Sequence, residues 1–382
     1  MSSFFYKTLM AASAALMPSR YSMWSAIAIS IAFGLAITGL NAQTTSDSSV
    51  FGVFAGNSPS GEAIRPLLQI PPDAKADLIQ WRLALYQDAK TLAPTRYQLH
   101  CDYGPAVPGL PGLGTRRTTV KKEGSWTIGS GIKSNPKAVV YELDGAMSLF
   151  KVHPDILHVL NRDRSLMIGN GGWSYTLYRT EASEKPGDPS VTSGSGDDSR
   201  TISPLASGPS VFGVFEGRSP CLGIARDLKI DVTGGCIKVK WRVTLYQNPE
   251  TRLPSTYKVE DSLHRQGARK GNWTILRGTE TDPNAIVYRL FPTKTEAALH
   301  LLKGDDNVLF FLNQELEPLV GHSEFSYTLN RRTEGVPGEF QICPHLRPRV
   351  QDELSQSFDF PIFKRGNQIE TGLFSKRVSL TR

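Results

Sequence analysis

The sequence predicts an all-β protein made of two tandem, small antiparallel β-barrels. Three observations carry that expectation. First, Ile237, Val239, Trp241, Val243 and Leu245 alternate with Lys238, Lys240, Arg242 and Thr244. A period of two puts one face on a core and the other in water, as a half-buried strand requires. Second, Ile79-Gln80-Trp81-Arg82-Leu83-Ala84-Leu85-Tyr86-Gln87 repeats the same strand earlier, so Trp-Arg-x-x-Leu-Tyr-Gln occurs twice and the chain is a duplication. Third, about eight short segments per repeat are rich in β-branched and aromatic residues and bounded by Gly, Pro, Asn or Asp, with no convincing long helix. Strands in such an order suit an antiparallel meander closed into a barrel.

Taken in order, the chain opens with Lys7 and Arg20, the apolar run Trp24–Leu40, and then Asn41-Ala42-Gln43. Basic flanks, an apolar stretch and a small residue before polar sequence predict a signal peptide over 1–42, cleaved after Ala42, in an exported protein. The run is broken by Ser25, Ser30, Gly34, Thr38 and Gly39, which makes a poor permanent span. A membrane association is therefore expected only through an uncleaved signal. Met17 or Met23 are alternative translation starts.

The first barrel is placed over 49–180 and the second over 211–332. Ser49–Pro59 matches Ser210–Pro220, and the Trp-Arg strands follow. Tyr97-Gln98-Leu99 then matches Tyr257-Lys258-Val259, and Ser125–Ile128 matches Asn272–Ile275. Ala138–Leu143 matches Ala285–Leu290, Ile156–Asn161 matches Val308–Asn313, and Trp173–Leu177 matches Phe325–Leu329. The first repeat carries an extra Gly/Pro-rich stretch, Gly104–Gly112, which reads as an extended hairpin loop. Lys294–Lys303 fits a short helix or a turn. Between the repeats, 181–210 is a Ser/Gly/Pro-rich linker by composition. The tail 333–382 has no partner in the first repeat and reads as mobile, with Phe358–Phe363 able to dock on a barrel.

Hydrophobic residues at 40% and charged residues at 21% describe a globular protein with a core in each half. A net charge of +7, scattered and without long basic runs, argues against nucleic acid as a partner. Gly-x-Ser-x-Gly, His-Glu-x-x-His, a phosphate loop and a dinucleotide fingerprint are all missing, so no catalytic residue is assigned and the chain is read as a non-enzyme. Asp305-Asp306 and Asp197-Asp198 read as solubilising turn or linker residues.

Four cysteines are too few for a disulfide scaffold, and none lies at the end of the apolar run where a lipid anchor would attach. Cys221 and Cys236 stand opposite Ser60 and Ala76 in the first repeat. Joint presence and joint absence is the pattern of a bonded pair, which an oxidising compartment would permit. The same two sulfurs are also candidate metal ligands, because soft thiolates suit Cu(I). His100-Cys101 lies on consecutive strand positions, which point to opposite faces and chelate poorly. His153, His158, His264, His300, His322 and His345 lack metal-ligand spacing and read as surface or loop residues. Trp81, Trp126, Trp241 and Trp273 recur at matched places among apolar neighbours and read as structural core. Arg82 and Arg242, on the opposite strand face, read as solvated or paired at the surface.

One resemblance rests on Phe215-Glu216-Gly217-Arg218-Ser219-Pro220-Cys221-x-Gly223-Ile224-Ala225, Cys236–Arg242, Leu245-Tyr246-Gln247, Gly271–Ile275, Leu319-Val320-Gly321 and Phe325–Asn330. Through these blocks 211–332, and more faintly 50–179, resembles the NlpE-like copper-resistance domain of bacterial envelope proteins. The resemblance implies a lipocalin-like barrel, a periplasmic or extracellular address, and a link to copper tolerance and envelope stress. Cys221 stands at the first position of the family's Cys-x-x-Cys, and Ser60 stands there in the first repeat. No cofactor is required, with copper the one the resemblance implies. The partner classes that follow are an envelope protein or a small apolar ligand carried in a barrel mouth. The function expected is binding or sensing, with the carrier and a structural docking role as alternatives.

Overall fold

The structure is a computed structural model that describes residues 48–107, 112–181, 204–232, 235–263, 267–292 and 297–332. The signal segment 1–42, most of the linker, the tail 333–382, His264, His345 and Asp197-Asp198 lie outside the described residues. The first sheet comprises β1 (Ser48–Pro59), β2 (Leu78–Asp88), β3 (Pro94–Gly104), β4 (Thr118–Ile132), β5 (Asn135–Leu143), β6 (Met147–His153), β7 (Ile156–Val159) and β8 (Thr176–Thr180). The second comprises β9 (Val211–Pro220), β10 (Lys238–Gln247), β11 (Pro254–Asp261), β12 (Arg269–Arg277), β13 (Ile286–Pro292), β14 (Leu299–Lys303), β15 (Val308–Leu312) and β16 (Thr328–Arg332). In both, each strand pairs antiparallel with the next, and the last returns to the first. Closure removes the free edges that an open meander would leave. Two tandem all-β barrels are therefore what the chain forms.

The period-two pattern sets which face is buried. In β10, Val239, Trp241, Val243 and Leu245 are at most 3% exposed, while Lys238, Lys240 and Arg242 between them are partly exposed on the outer face. The four tryptophans lie inside, at 1% to 4% exposure. Each large aromatic buries on the order of 150–250 Å², so at about 25 cal/mol per Å² each contributes roughly 4–6 kcal/mol of transfer free energy as an upper figure. Their polar edges are satisfied identically in the two barrels. Trp81 and Trp241 donate Nε1–H to Ser58 Oγ at 2.7 Å and Ser219 Oγ at 2.8 Å. Trp126 and Trp273 donate to the carbonyls of Tyr86 and Tyr246, both at 2.6 Å.

Tight spots in the register also recur. Gly56 faces Trp81 in the ladder and Gly217 faces Trp241. A Cβ at these glycines would lie 2.5 Å from the Thr176 carbonyl oxygen and 2.3 Å from the Thr328 carbonyl oxygen. Only a hydrogen lets β1 and β9 approach their closing strands so closely.

Two local readings change. Leu299–Lys303, within the stretch read as a helix or turn, is strand β14, because Leu299 and Leu301 supply inward apolar positions. Short helices interrupt each meander after its first strand: α1 (Arg65–Leu68) and α2 (Cys221–Asp227). The extra Gly/Pro stretch does link β3 to β4, with Ala106 bridged to Leu113; 108–111 are outside the described residues.

Candidate functional site

Each barrel is plugged at one end by the loop carrying its helix, and the two barrels close that loop by different chemistry. In the second, Cys221 opens α2 directly after β9, and Cys236 lies two residues before β10. Their Cα atoms are 5.7 Å apart and the sulfurs are at bonding distance. Backbone pairing of Cys221 N–H with the Ile237 carbonyl, 3.1 Å, holds the two chain ends in register. Ile224 and Leu228 point from the loop into the barrel core.

In the first barrel Ser60 and Ala76 occupy the corresponding places, and the Arg65 guanidinium bridges them. It donates to the Ser60 carbonyl at 3.1 Å and the Ala76 carbonyl at 2.8 Å. Nη1 reaches the carbonyls of Pro71, Pro72 and Ala74 at 3.2, 3.1 and 3.0 Å. A planar, permanently charged fork is suited to gathering several carbonyls at once. Sequence reasoning missed Arg65. The signal was the loss of both cysteines from a loop that keeps its buried Ile64 and Leu68.

As a copper centre the cysteine pair fits poorly in its bonded form. Both sulfurs are engaged with each other, Cys221 is 1% exposed, and no group of three or more His, Cys, Asp or Glu suited to a metal occurs among the described residues. Cys101 is fully buried, with its thiol pushed well up by burial, while His100 is exposed on the other face.

A second constellation lies where the barrels meet. Apolar residues of both barrels form one buried cluster there, including Val140, Leu160 and Leu166 from the first and Val308 and Phe310 from the second. Matched positions face each other. Thr176 Oγ1 and Thr328 Oγ1 are 2.9 Å apart, and Ser174 Oγ and Ser326 Oγ are 2.7 Å apart. His158 packs edge to face on Phe310, its counterpart, at 5.6 Å. Self-pairing of equivalent residues is the mark of a two-fold interface, here within one chain.

Polar contacts fix the seam further. The Asn330 side-chain oxygen accepts from Gly169 N–H at 2.7 Å, and Tyr178 Oη accepts from Tyr327 N–H, also at 2.7 Å. Asp305, expected as a solubilising turn residue, is 8% exposed and accepts from Asn307 and Val308 N–H in its own turn and from Leu166 N–H of the other barrel.

The histidine reading needs correction in the same region. His158 is fully buried and His300 is 5% exposed, because outer-face positions near the seam and near α2 are covered. Burial pushes the His158 imidazole down to about 4, offset in part by the Met167 carbonyl. His322 lies beside a partly open, water-sized cleft of about 10 Å³ between the barrels, lined also by Asn57, Trp173, Ser174, Thr176 and Glu324. Partial desolvation at the cleft edge lowers His322, although its side chain stays exposed, and burial raises the half-buried Glu324 carboxyl. Arg242, read as solvated or paired at the surface, is paired: it binds Glu216 at 2.6 Å. No protein-family model, curated protein or solved structure matches this chain.

Proposed function

We propose that the protein is an exported, non-enzymatic binding or sensing protein of the bacterial envelope that works from its outer faces and its inter-barrel seam. The observation that carries this reading is the filling of both barrels by their own side chains. Phe54, Trp81 and Leu83 in the first, and Phe215, Trp241 and Phe311 in the second, are at most 3% exposed. Packing of this kind favours surface recognition over carriage of an apolar molecule in a lumen. The Cys221–Cys236 pair supports an oxidising compartment. The resemblance of 211–332 to NlpE-like domains adds copper tolerance or envelope stress as the process served, with an envelope protein as the partner class.

Two titrations of the full-length protein test the reading. An apolar fluorescent dye should show no saturable uptake by the native protein; one dye per barrel would favour the carrier instead. Cu(I) should be ignored by the oxidised protein. Stoichiometric uptake by the reduced form, lost in Cys221→Ser/Cys236→Ser, would assign copper to the reduced pair; equal weak uptake by both leaves the pair structural.

A further inference from the structure

The seam contains a hydrogen-bond chain whose direction is fully determined. The Met167 carbonyl can only accept, so His158 Nε2 carries the proton and donates to it at 2.9 Å. Nδ1 must then accept, from the Thr176 hydroxyl at 2.9 Å. With its proton committed, Thr176 Oγ1 accepts from the Thr328 hydroxyl of the other barrel. The order runs Thr328 to Thr176 to His158 to Met167, from one barrel into the other.

His158 is 0% exposed, yet Thr176 lines the cleft between the barrels. A proton entering the cleft thus has a hydroxyl relay to Nδ1. Once protonated, the ring donates from both nitrogens, and Thr176 must turn its own proton toward Thr328. The charge itself has nothing to neutralise it. The residues facing the ring are Phe150 of β6, Thr176 of β8, the Met167 carbonyl, and Phe310 of β15. The titratable groups nearby are His322 and Glu324 on the cleft wall and Tyr178 against Tyr327, with Asp305 held by Leu166 N–H. None of them contributes to the His158 shift.

We propose that this chain is an acid-sensitive latch: protonation of His158 through Thr176 parts the two barrels while each stays folded. The inference does not depend on the partner or process proposed above. The sign follows from proton uptake. The closed seam excludes the proton and the open one accepts it, so closure is favoured above pH 6.5 and weakens as pH falls toward about 4. Across that interval the closed-to-open ratio drops by about 80-fold, on the way to a limit of about 300-fold at lower pH. His322 works in the same sense and Glu324 in the opposite one. Opening would uncover the apolar cluster around Leu166 and Phe310, a surface a partner could read only in acid.

The test is small-angle scattering of the full-length protein from pH 7.5 to 3.5, with far-UV circular dichroism alongside. The wild type should expand below about pH 5 with its β-sheet signal intact. His158→Gln keeps a donor for Met167 and an acceptor for Thr176 but cannot titrate, and should stay compact; His322→Gln should shift the transition less. If His158→Gln does not fold, His158→Phe, which copies Phe310, serves the same comparison. A wild type compact to pH 3.5, a non-titrating variant that opens with the wild type, or expansion that coincides with loss of β-sheet signal each overturns the proposal.

Discussion

Removing the Cys221–Cys236 bond tests both the plug and the coupling between barrels. The closed loop spans a sequence separation of 15. In the chain-entropy account, closing a loop of that length is worth about 3 kcal/mol. Cys221→Ala/Cys236→Ala, measured by calorimetry without reductant, should lower the melting temperature by an amount that depends on what melts together. With an unfolding entropy of about 2.1 cal/mol/K per residue, a lone barrel of roughly 120 residues would drop by about 12 °C. Two barrels melting as one unit of roughly 250 residues would drop by about 6 °C. The seam, with its shared apolar cluster and side-chain pairs, predicts the smaller shift in a single transition. A drop below about 2 °C would refute the stabilising role. An early separate transition near the larger value would refute the coupling.

Arg65→Ala should destabilise the first barrel by about 2 kcal/mol in chemical denaturation, because five carbonyl contacts lose a charged donor. Arg65→Lys should recover little of it, since a point-like ammonium cannot span Ser60 and Ala76. Asp305→Asn should cost on the order of 2 kcal/mol, because an amide offers one acceptor oxygen where three backbone N–H groups now converge on a carboxylate. Gly217→Ala should lower stability by more than 2 kcal/mol, roughly the cost of forcing β9 away from the Thr328 carbonyl. In a Cys343→Ser background purified without reductant, a thiol reagent should label only Cys101, and only after unfolding; native labelling at Cys221 or Cys236 would contradict the bonded pair.

The barrels were legible because strand formation is written locally. Trp241 and its alternating neighbours declare an inner face within a few residues, and the duplication at Trp81 supplies an internal check. The cysteine pair was legible for the same reason, since Cys221 and Cys236 vanish together at Ser60 and Ala76. What the sequence hid is what packing creates. Arg65 is one arginine in a short helix until its carbonyl partners are folded around it. Asp305 resembles any turn aspartate, and its contact with Leu166 lies in the other barrel. His158 sits on an outer strand face that period-two logic assigns to water, and only the second barrel makes it interior. β14 lacked a signal because a five-residue strand offers too few alternations to exceed a helix-compatible reading.

The central claim is that the two barrels form one body through a pseudo-two-fold seam, leaving recognition to their surfaces. A protease site placed between residues 182 and 203 of the full-length chain, cut and then passed through gel filtration at pH 7.5, tests it most directly. The account predicts that the cleaved halves elute together at the position of the intact protein, and separate when Phe310→Asp breaks the apolar cluster. Halves that part on cleavage alone, with Phe310 intact, would contradict it.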